Sequence, residues 1–302
     1  MNAKYIFDKA LKKRLGGKDG DYYSSERVQP GKYYFYHTRE KWRCFLCQMD
    51  PKHRKAYENG GGKELEERCW NGVWLPPKMA AYASSSFFVY DLLKRTDAVF
   101  EQKLPTSIPY ATSNMDAFYP KRNVFIEAKC HEIYDSPSPK YKMAYKVFYD
   151  MLAARTGFNY HPKEDKNNSA ISFSLDDIPV AQFDIKQIIS HTLGIANACK
   201  NGVKIQGHTE RLNPDTGISL VYLLFNPREL KTTLNDEEWN VIETAFSNEV
   251  CFIKTHHQFF LSLFGVSLDY LKFDSDQIKE LTERFEFKLA DQYNYQEMIG
   301  LR

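Results

Sequence analysis

Asn114-Met115-Asp116-Ala117-Phe118, a turn at Lys121-Arg122-Asn123, then Val124-Phe125-Ile126-Glu127-Ala128-Lys129-Cys130: this stretch decides the fold. Short strand-like pieces separated by turn residues, the second rich in β-branched and aromatic residues, predict two hairpin-linked strands over residues 114–119 and 123–130. Side chains alternate along a strand. Glu127 and Lys129 therefore share a face with Phe125, Ile126 and Ala128 pack behind, and the turn brings Asp116 to their level.

Two carboxylates inside apolar strands cost several kcal/mol each unless they find partners. A divalent cation relieves that cost. Mg2+ (or Mn2+) prefers hard oxygen donors, and Asp116, Glu127, the Ala128 carbonyl and a phosphate oxygen would suit it. Lys129 would then orient or help deprotonate an attacking water. The same residues also fit an ordinary cross-strand charge pair on a solvated sheet face.

Working outward, a third strand is expected at 98–103, preceded by a helix over 78–94 that starts after Pro76-Pro77 and contains Ser84, Ser85 and Ser86. Further upstream lie the Asn59-Gly60-Gly61-Gly62 break and a charged segment at 63–68. Downstream, helical spacing is read over 142–156, and an exposed, mobile polar loop over 163–168. An amphipathic helix is expected over 178–200, with Ile185, Ile188, Ile189, Leu193 and Ile195 on its apolar stripe. The fully apolar run 218–225 reads as the strand at the centre of the sheet. Residues 5–15 read as a helix, followed by Gly16-Gly17 and a tyrosine-rich stretch over 22–36 to which no role is assigned. Residues 236–302 alternate helical patterns with one short apolar run at 250–253. The expected architecture is α/β, with a central mixed β-sheet flanked by helices in residues 60–230. Residues 1–59 form an N-terminal extension, and residues 231–302 a mainly helical segment packed on the core.

The segments Pro76-Pro77-Lys78-Met79, Ser84-Ser85-Ser86, Phe100-Glu101, Met115-Asp116 and Phe125-Ile126-Glu127-Ala128-Lys129-Cys130-His131-Glu132 resemble, in this order, bacterial restriction-endonuclease-like proteins of the PD-(D/E)xK superfamily. The resemblance covers residues 60–227. It implies a restriction-endonuclease-like core, metal binding by Asp116 and Glu127, and a catalytic Lys129. It also implies a further acid from an upstream helix, for which Glu64 is the choice, with Glu66, Glu67 and Glu101 as competitors. A glutamine and a histidine one helical turn apart would belong to the same site, and Gln187 and His191 have that spacing. They would bind phosphate or hold the lysine and water; two polar residues flanking an apolar stripe is the plain alternative. Ser85 and Ser86 either face the site or serve close helix-to-sheet packing. The implied activity is metal-dependent hydrolysis of nucleic acid, DNA foremost. The alternative is a nuclease-fold protein of weak or no activity that binds nucleic acid or protein.

The chain has 302 residues, 43% hydrophobic and 26% charged, with a formal net charge of +2. These values exclude a disordered or fibrous chain and a binder of polyanions by bulk charge. A local basic patch at Lys9, Lys12, Lys13, Arg14 and Lys18 is a candidate nucleic-acid contact, or simply a solvated helix face. No apolar run reaches the roughly 18 to 20 residues that cross a bilayer, and no secretory signal follows Met1, so a cytoplasmic protein is expected. Six cysteines without framework spacing suit reduced thiols. Cys44 and Cys47, with His37, His53 and Cys69, raise a structural Zn2+; a helix over 42–49 with buried thiols is the competing reading. His256-His257 reads as interface or core. No Walker A, GxGxxG or Gly-x-Ser-x-Gly sequence supports nucleotide hydrolysis, dinucleotide redox or serine esterase chemistry. Oligomeric state is left open, a homodimer included.

Overall fold

The computed structural model describes residues 3–15, 22–24, 35–37, 39–70, 73–81, 84–109, 111–130, 132–134, 143–155, 158–163, 170–175, 178–179, 185–205, 208–212, 217–225, 227–264 and 267–273. Its first half contains α1 (Ala3–Leu15), β1 (Tyr22–Ser24), β2 (Phe35–His37), α2 (Arg39–Gln48), α3 (Pro51–Glu58), β3 (Arg68–Trp70), β4 (Val73–Leu75) and α4 (Ser85–Leu93). The meander β5 (Val99–Pro105), β6 (Thr112–Tyr119) and β7 (Val124–Lys129) follows. Then come α5 (Lys146–Arg155), β8 (Phe158–Lys163), β9 (Ala170–Leu175), β10 (Ile178–Pro179) and α6 (Ile185–Asn201). The remainder is β11 (Val203–Ile205), β12 (His208–Glu210), β13 (Ser219–Phe225), α7 (Asp236–Phe264) and β14 (Ser267–Phe273).

The main sheet is mixed and has the order β14-β13-β7-β6-β5. β5, β6 and β7 are antiparallel, whereas β13 runs parallel to both β7 and β14. Parallel strands need a crossover, and α6 lies within the one between β7 and β13, packed against β5 and β6. α4 packs against β6 and β7, and α3 against β5. The protein is thus α/β, with a central mixed sheet flanked by helices. Strands covered on both faces must be apolar throughout, and β13 is buried from Leu220 to Phe225. It lies beside the middle strand, which is β7; the centre expected for residues 218–225 shifts by one position.

Asn123 fixes the meander to the parallel strand. It ends a 3-10 turn at Pro120–Arg122 with φ 51°, a left-handed conformation that asparagine tolerates. Its carbonyl accepts from the Ser219 amide (3.2 Å), and its side chain donates to the Gly217 carbonyl (3.3 Å). Phe118 and Phe125, paired across the hairpin, stack with centroids 4.3 Å apart and are fully buried; each contributes about 1.5–3 kcal/mol by burial.

Several expected boundaries are corrected. The helix expected over 78–94 is a single 3-10 turn at Lys78–Ala80 and then α4, which starts where Ser84 accepts from the Phe87 amide (3.2 Å) as N-cap. The helix expected over 178–200 begins at Ile185, because Ile178 and Pro179 pair with Leu175 and Ser174 as a strand. The hairpin β8-β9 stands on either side of the polar segment, of which residues 164–168 lie outside the described residues. In the C-terminal segment the apolar run at 250–253 is part of the 29-residue α7, and β14 adds a strand to the sheet. Residues 274–302 lie outside the described residues. Among the described residues, no helix is long and apolar enough to cross a membrane.

Candidate active site

Strand register assembles the acids. Phe100 pairs with Ala117 and Gln102 with Met115, which sets Glu101 opposite Asp116. Ala117 pairs with Ile126, which carries Asp116 to the level of Glu127, and Glu127 pairs with Tyr222. One transverse row of the sheet therefore reads Glu101, Asp116, Glu127, Tyr222. The β6-β7 ladder stops at Ala117 and Ile126. One residue further, Asp116 Oδ2 accepts the Ala128 amide at 2.7 Å, a side chain taking over a backbone donor.

Glu127 is held on both oxygens. Oε1 accepts from Lys129 Nζ (2.7 Å) and from Gln187 Nε2 (2.8 Å), and Oε2 lies 3.5 Å from His191 Nε2. Gln187 and His191 reach it together because they are one turn apart on α6. Burial pushes the Glu127 carboxyl up, but the Lys129 ammonium and the His191 imidazole outweigh this and hold it down at about 2. Asp116 goes the other way: burial and the charge on Glu127 raise it well above the usual carboxylate range, against Lys129 and the Ala128 amide. For Lys129, burial disfavours the ammonium, yet Glu127, Glu132 and Asp116 around it raise its pKa.

Glu101 departs from regular strand geometry, with φ 53°. This region is uncommon for a non-glycine residue, and such strain gathers at functional sites. Burial and the charges on Glu64 and Glu127 push its carboxyl up to about 7. A Cβ on Gly60 would stand 2.4 Å from Glu101 Oε2, so the glycine run lies where a side chain would collide with this acid. Beside β5, a cavity of about 590 Å³ is lined by Glu101 together with Asn59, Lys103 and Lys204.

Glu64 lies in a turn, not on an upstream helix as expected. Burial raises its pKa, while Lys78 at 3.7 Å and a hydrogen bond with Ser86 oppose this. Ser85 Oγ donates to Glu132 Oε1 (2.9 Å), and Glu132 Oε2 accepts the Cys130 amide (2.7 Å). The serines thus hold two acids beside the row. Glu66 and Glu67 are engaged with Lys63 (2.9 Å) and Arg39 (3.6 Å). Asp116, Glu127, Lys129, Gln187 and His191 are brought together; Glu64 is engaged with Ser86 and Lys78, and its charge acts on Glu101. Ala128 donates its amide to Asp116 and pairs with Leu223 of β13. Among the described residues, no three His, Cys, Asp or Glu side chains form a group that could hold a metal ion.

The sequence reading missed Ser113, whose Oγ lies 2.5 Å from His191 Nδ1. A serine within a strand carries no signal that would have singled it out.

The N-terminal candidates are dispersed. Cys44 and Cys47 are free and exposed on α2, which corrects the buried-thiol reading, and Cys69 is exposed on β3. His53 packs edge-on against Phe100 and Tyr90 (centroids 4.8 and 5.9 Å), and the side chain of His37 lies outside the described residues. In the basic run, Lys9 pairs with Glu238 (3.1 Å) and Lys13 donates to the Thr233 carbonyl (3.4 Å). The side chains of Lys12, Arg14, His256 and His257, and residue Lys18, lie outside the described set.

No family model matches the chain, and no curated protein or solved structure shows significant similarity to it.

Proposed function

We propose that the chain is a divalent-cation-dependent phosphodiesterase acting on nucleic acid, DNA foremost, with a restriction-endonuclease-like core of the PD-(D/E)xK type. One observation carries this reading: Asp116 and Glu127 meet at one level on adjacent strands of an apolar sheet, with Glu101 beyond them and one ammonium, Lys129, in their midst. Three carboxyls share the row with one ammonium, and burial first, then the charge on Glu127, raises the pKa of Asp116. A hard cation is the group that such oxygens suit.

Asp116 and Glu127 would hold Mg2+ or Mn2+, with the Ala128 carbonyl as a further hard oxygen and Glu64 as the further acid the resemblance implies; bound there, the cation would act as a Lewis acid on a phosphate oxygen. Glu127 keeps Lys129 charged and fixed, so that its ammonium can orient a water toward phosphorus. Gln187 and His191 act through Glu127, restraining its carboxylate.

The test is incubation of plasmid, linear duplex and single-stranded DNA with Mg2+, Mn2+ or chelator, comparing wild type with Lys129→Ala and Asp116→Asn. Cation-dependent cleavage by wild type, reduced at least a hundredfold in both variants while circular dichroism stays unchanged, is the expected outcome. Equal cleavage by all three would rule the assignment out. The second reading is a nuclease-fold protein of weak or no activity that serves as a binding module for nucleic acid or protein. It predicts nucleic-acid binding with no cleavage in either metal.

A further inference from the structure

We propose that Ser113 is a positioning residue that sets the tautomer of His191 and, through it, the orientation of the Glu127 carboxylate. What Glu127 then does rests on the nuclease reading; the hydrogen-bond chain itself does not. Ser113 and His191 are 78 positions apart, both at most 2% exposed, and joined by a 2.5 Å contact from hydroxyl to Nδ1. A serine hydroxyl can donate or accept, whereas each nitrogen of a neutral imidazole does only one of these.

The other end of the ring decides which. Nε2 is buried and has no hydrogen-bond partner within ordinary geometry among the described residues, and the acceptor it faces is Glu127 Oε2 at 3.5 Å. Glu127 is ion-paired to Lys129, and an ionised carboxylate only accepts. A bare nitrogen lone pair against it would be repelled in a buried setting, so the proton belongs on Nε2. In the neutral ring Nδ1 is then the acceptor, and Ser113 donates.

The chain requires α6 to lie close to β6, and Gly194 permits it. A Cβ at Gly194 would stand 3.0 Å from the Cβ atoms of both Ser113 and Leu104. Lys129 and Gln187 both bind Oε1 of Glu127, which leaves His191, among the described residues, as the group that bears on Oε2. An outer hydrogen bond of this kind fixes ring orientation and sets how well a carboxylate is presented to a cation.

The experiment uses the full chain labelled with 15N-histidine, metal-free, with the His191 ring assigned by its loss in His191→Gln. Long-range proton–nitrogen correlation spectra should show wild-type His191 as the neutral Nε2–H form. Ser113→Ala should convert it to a tautomer mixture or to Nδ1–H, and Ser113→Thr should restore it. Mn2+ affinity, read by electron paramagnetic resonance, should fall about tenfold in Ser113→Ala and recover in Ser113→Thr. An Nδ1–H or doubly protonated ring in wild type, or a ring unaltered in Ser113→Ala, overturns the proposal. An altered ring with unaltered Mn2+ affinity overturns the link to Glu127. If wild type binds no Mn2+ while the ring responds as expected, the hydrogen-bond chain stands and the cation reading is the part that fails.

Discussion

At the scale of the residue, the two central carboxylates respond oppositely to the same surroundings. Glu127 has two donors on Oε1 and His191 Nε2 3.5 Å from Oε2, while Asp116 has one amide and a like charge beside it. Asp116→Asn keeps an oxygen to accept the Ala128 amide and removes the repulsion. It should abolish cleavage yet raise stability by on the order of 1 kcal/mol at neutral pH in chelator, read as a higher urea midpoint. A lower midpoint would show that the acid is structural. Glu101 supplies a pH dependence. Its carboxyl titrates near 4.5 in an unfolded chain and at about 7 here, so between those values the native state retains a proton that the unfolded state has released. The stability it contributes is therefore complete below pH 4.5 and lost as pH rises through 7. Urea midpoints of wild type should decline over that window, and those of Glu101→Gln should decline less; parallel profiles would refute the assignment. Asp116, Glu127 and Lys129 were legible in the sequence because charge inside apolar strands is conspicuous. Ser113 was not, since its meaning comes only from a histidine on a distant helix.

At the scale of the element, close approach governs α6. Gly194→Ala would press a methyl against Leu104 and Ser113, with the Leu104 carbonyl at 3.4 Å, and these neighbours belong to strands that cannot easily yield. We expect a loss of about 1–3 kcal/mol in denaturant titration, with Mn2+ affinity falling alongside it. A neutral or stabilising outcome would mean that the helix shifts freely. The start of α7 is a reciprocal cap: the Glu238 amide donates to Asn235 Oδ1 (2.9 Å), and Glu238 Oε2 accepts the Asn235 amide (3.2 Å). Asn235→Ala should cost about 1 kcal/mol, seen as a lowered melting temperature. Element types in the meander followed from apolar runs bounded by turn residues. Boundaries failed where local chemistry outweighed periodicity: Ser84 restarts a helix after Ala81 turns extended, and Pro179 sits in a strand ahead of α6. β8 was missed because Pro162 and His161 obscure an alternating pattern, and its pairing with β9 is what defines it.

At the scale of the whole molecule, the mixed sheet was foreseeable from a meander followed by a helix and a fully apolar strand, since a parallel partner needs such a crossover. The strand after α7 was not. Ser267–Phe273 joins the sheet through backbone pairing with β13, an interaction that side-chain periodicity does not encode. Ending the chain at Phe264 would leave β13 as an apolar edge, and the truncated protein should form higher-order species in size-exclusion chromatography. A monodisperse profile like that of the full chain would show that β14 is dispensable.

The route by which Asn123 docks onto Ser219 also bears on biosynthesis. The antiparallel hairpin can close as soon as it leaves the ribosome, but the strand that seals its other side is translated only after the whole stretch from Lys129 to Ser219 has emerged. Until then β7, the middle of the finished sheet, is itself a border, and its open backbone is a place where a nascent chain can be captured by a chaperone or by another copy of itself.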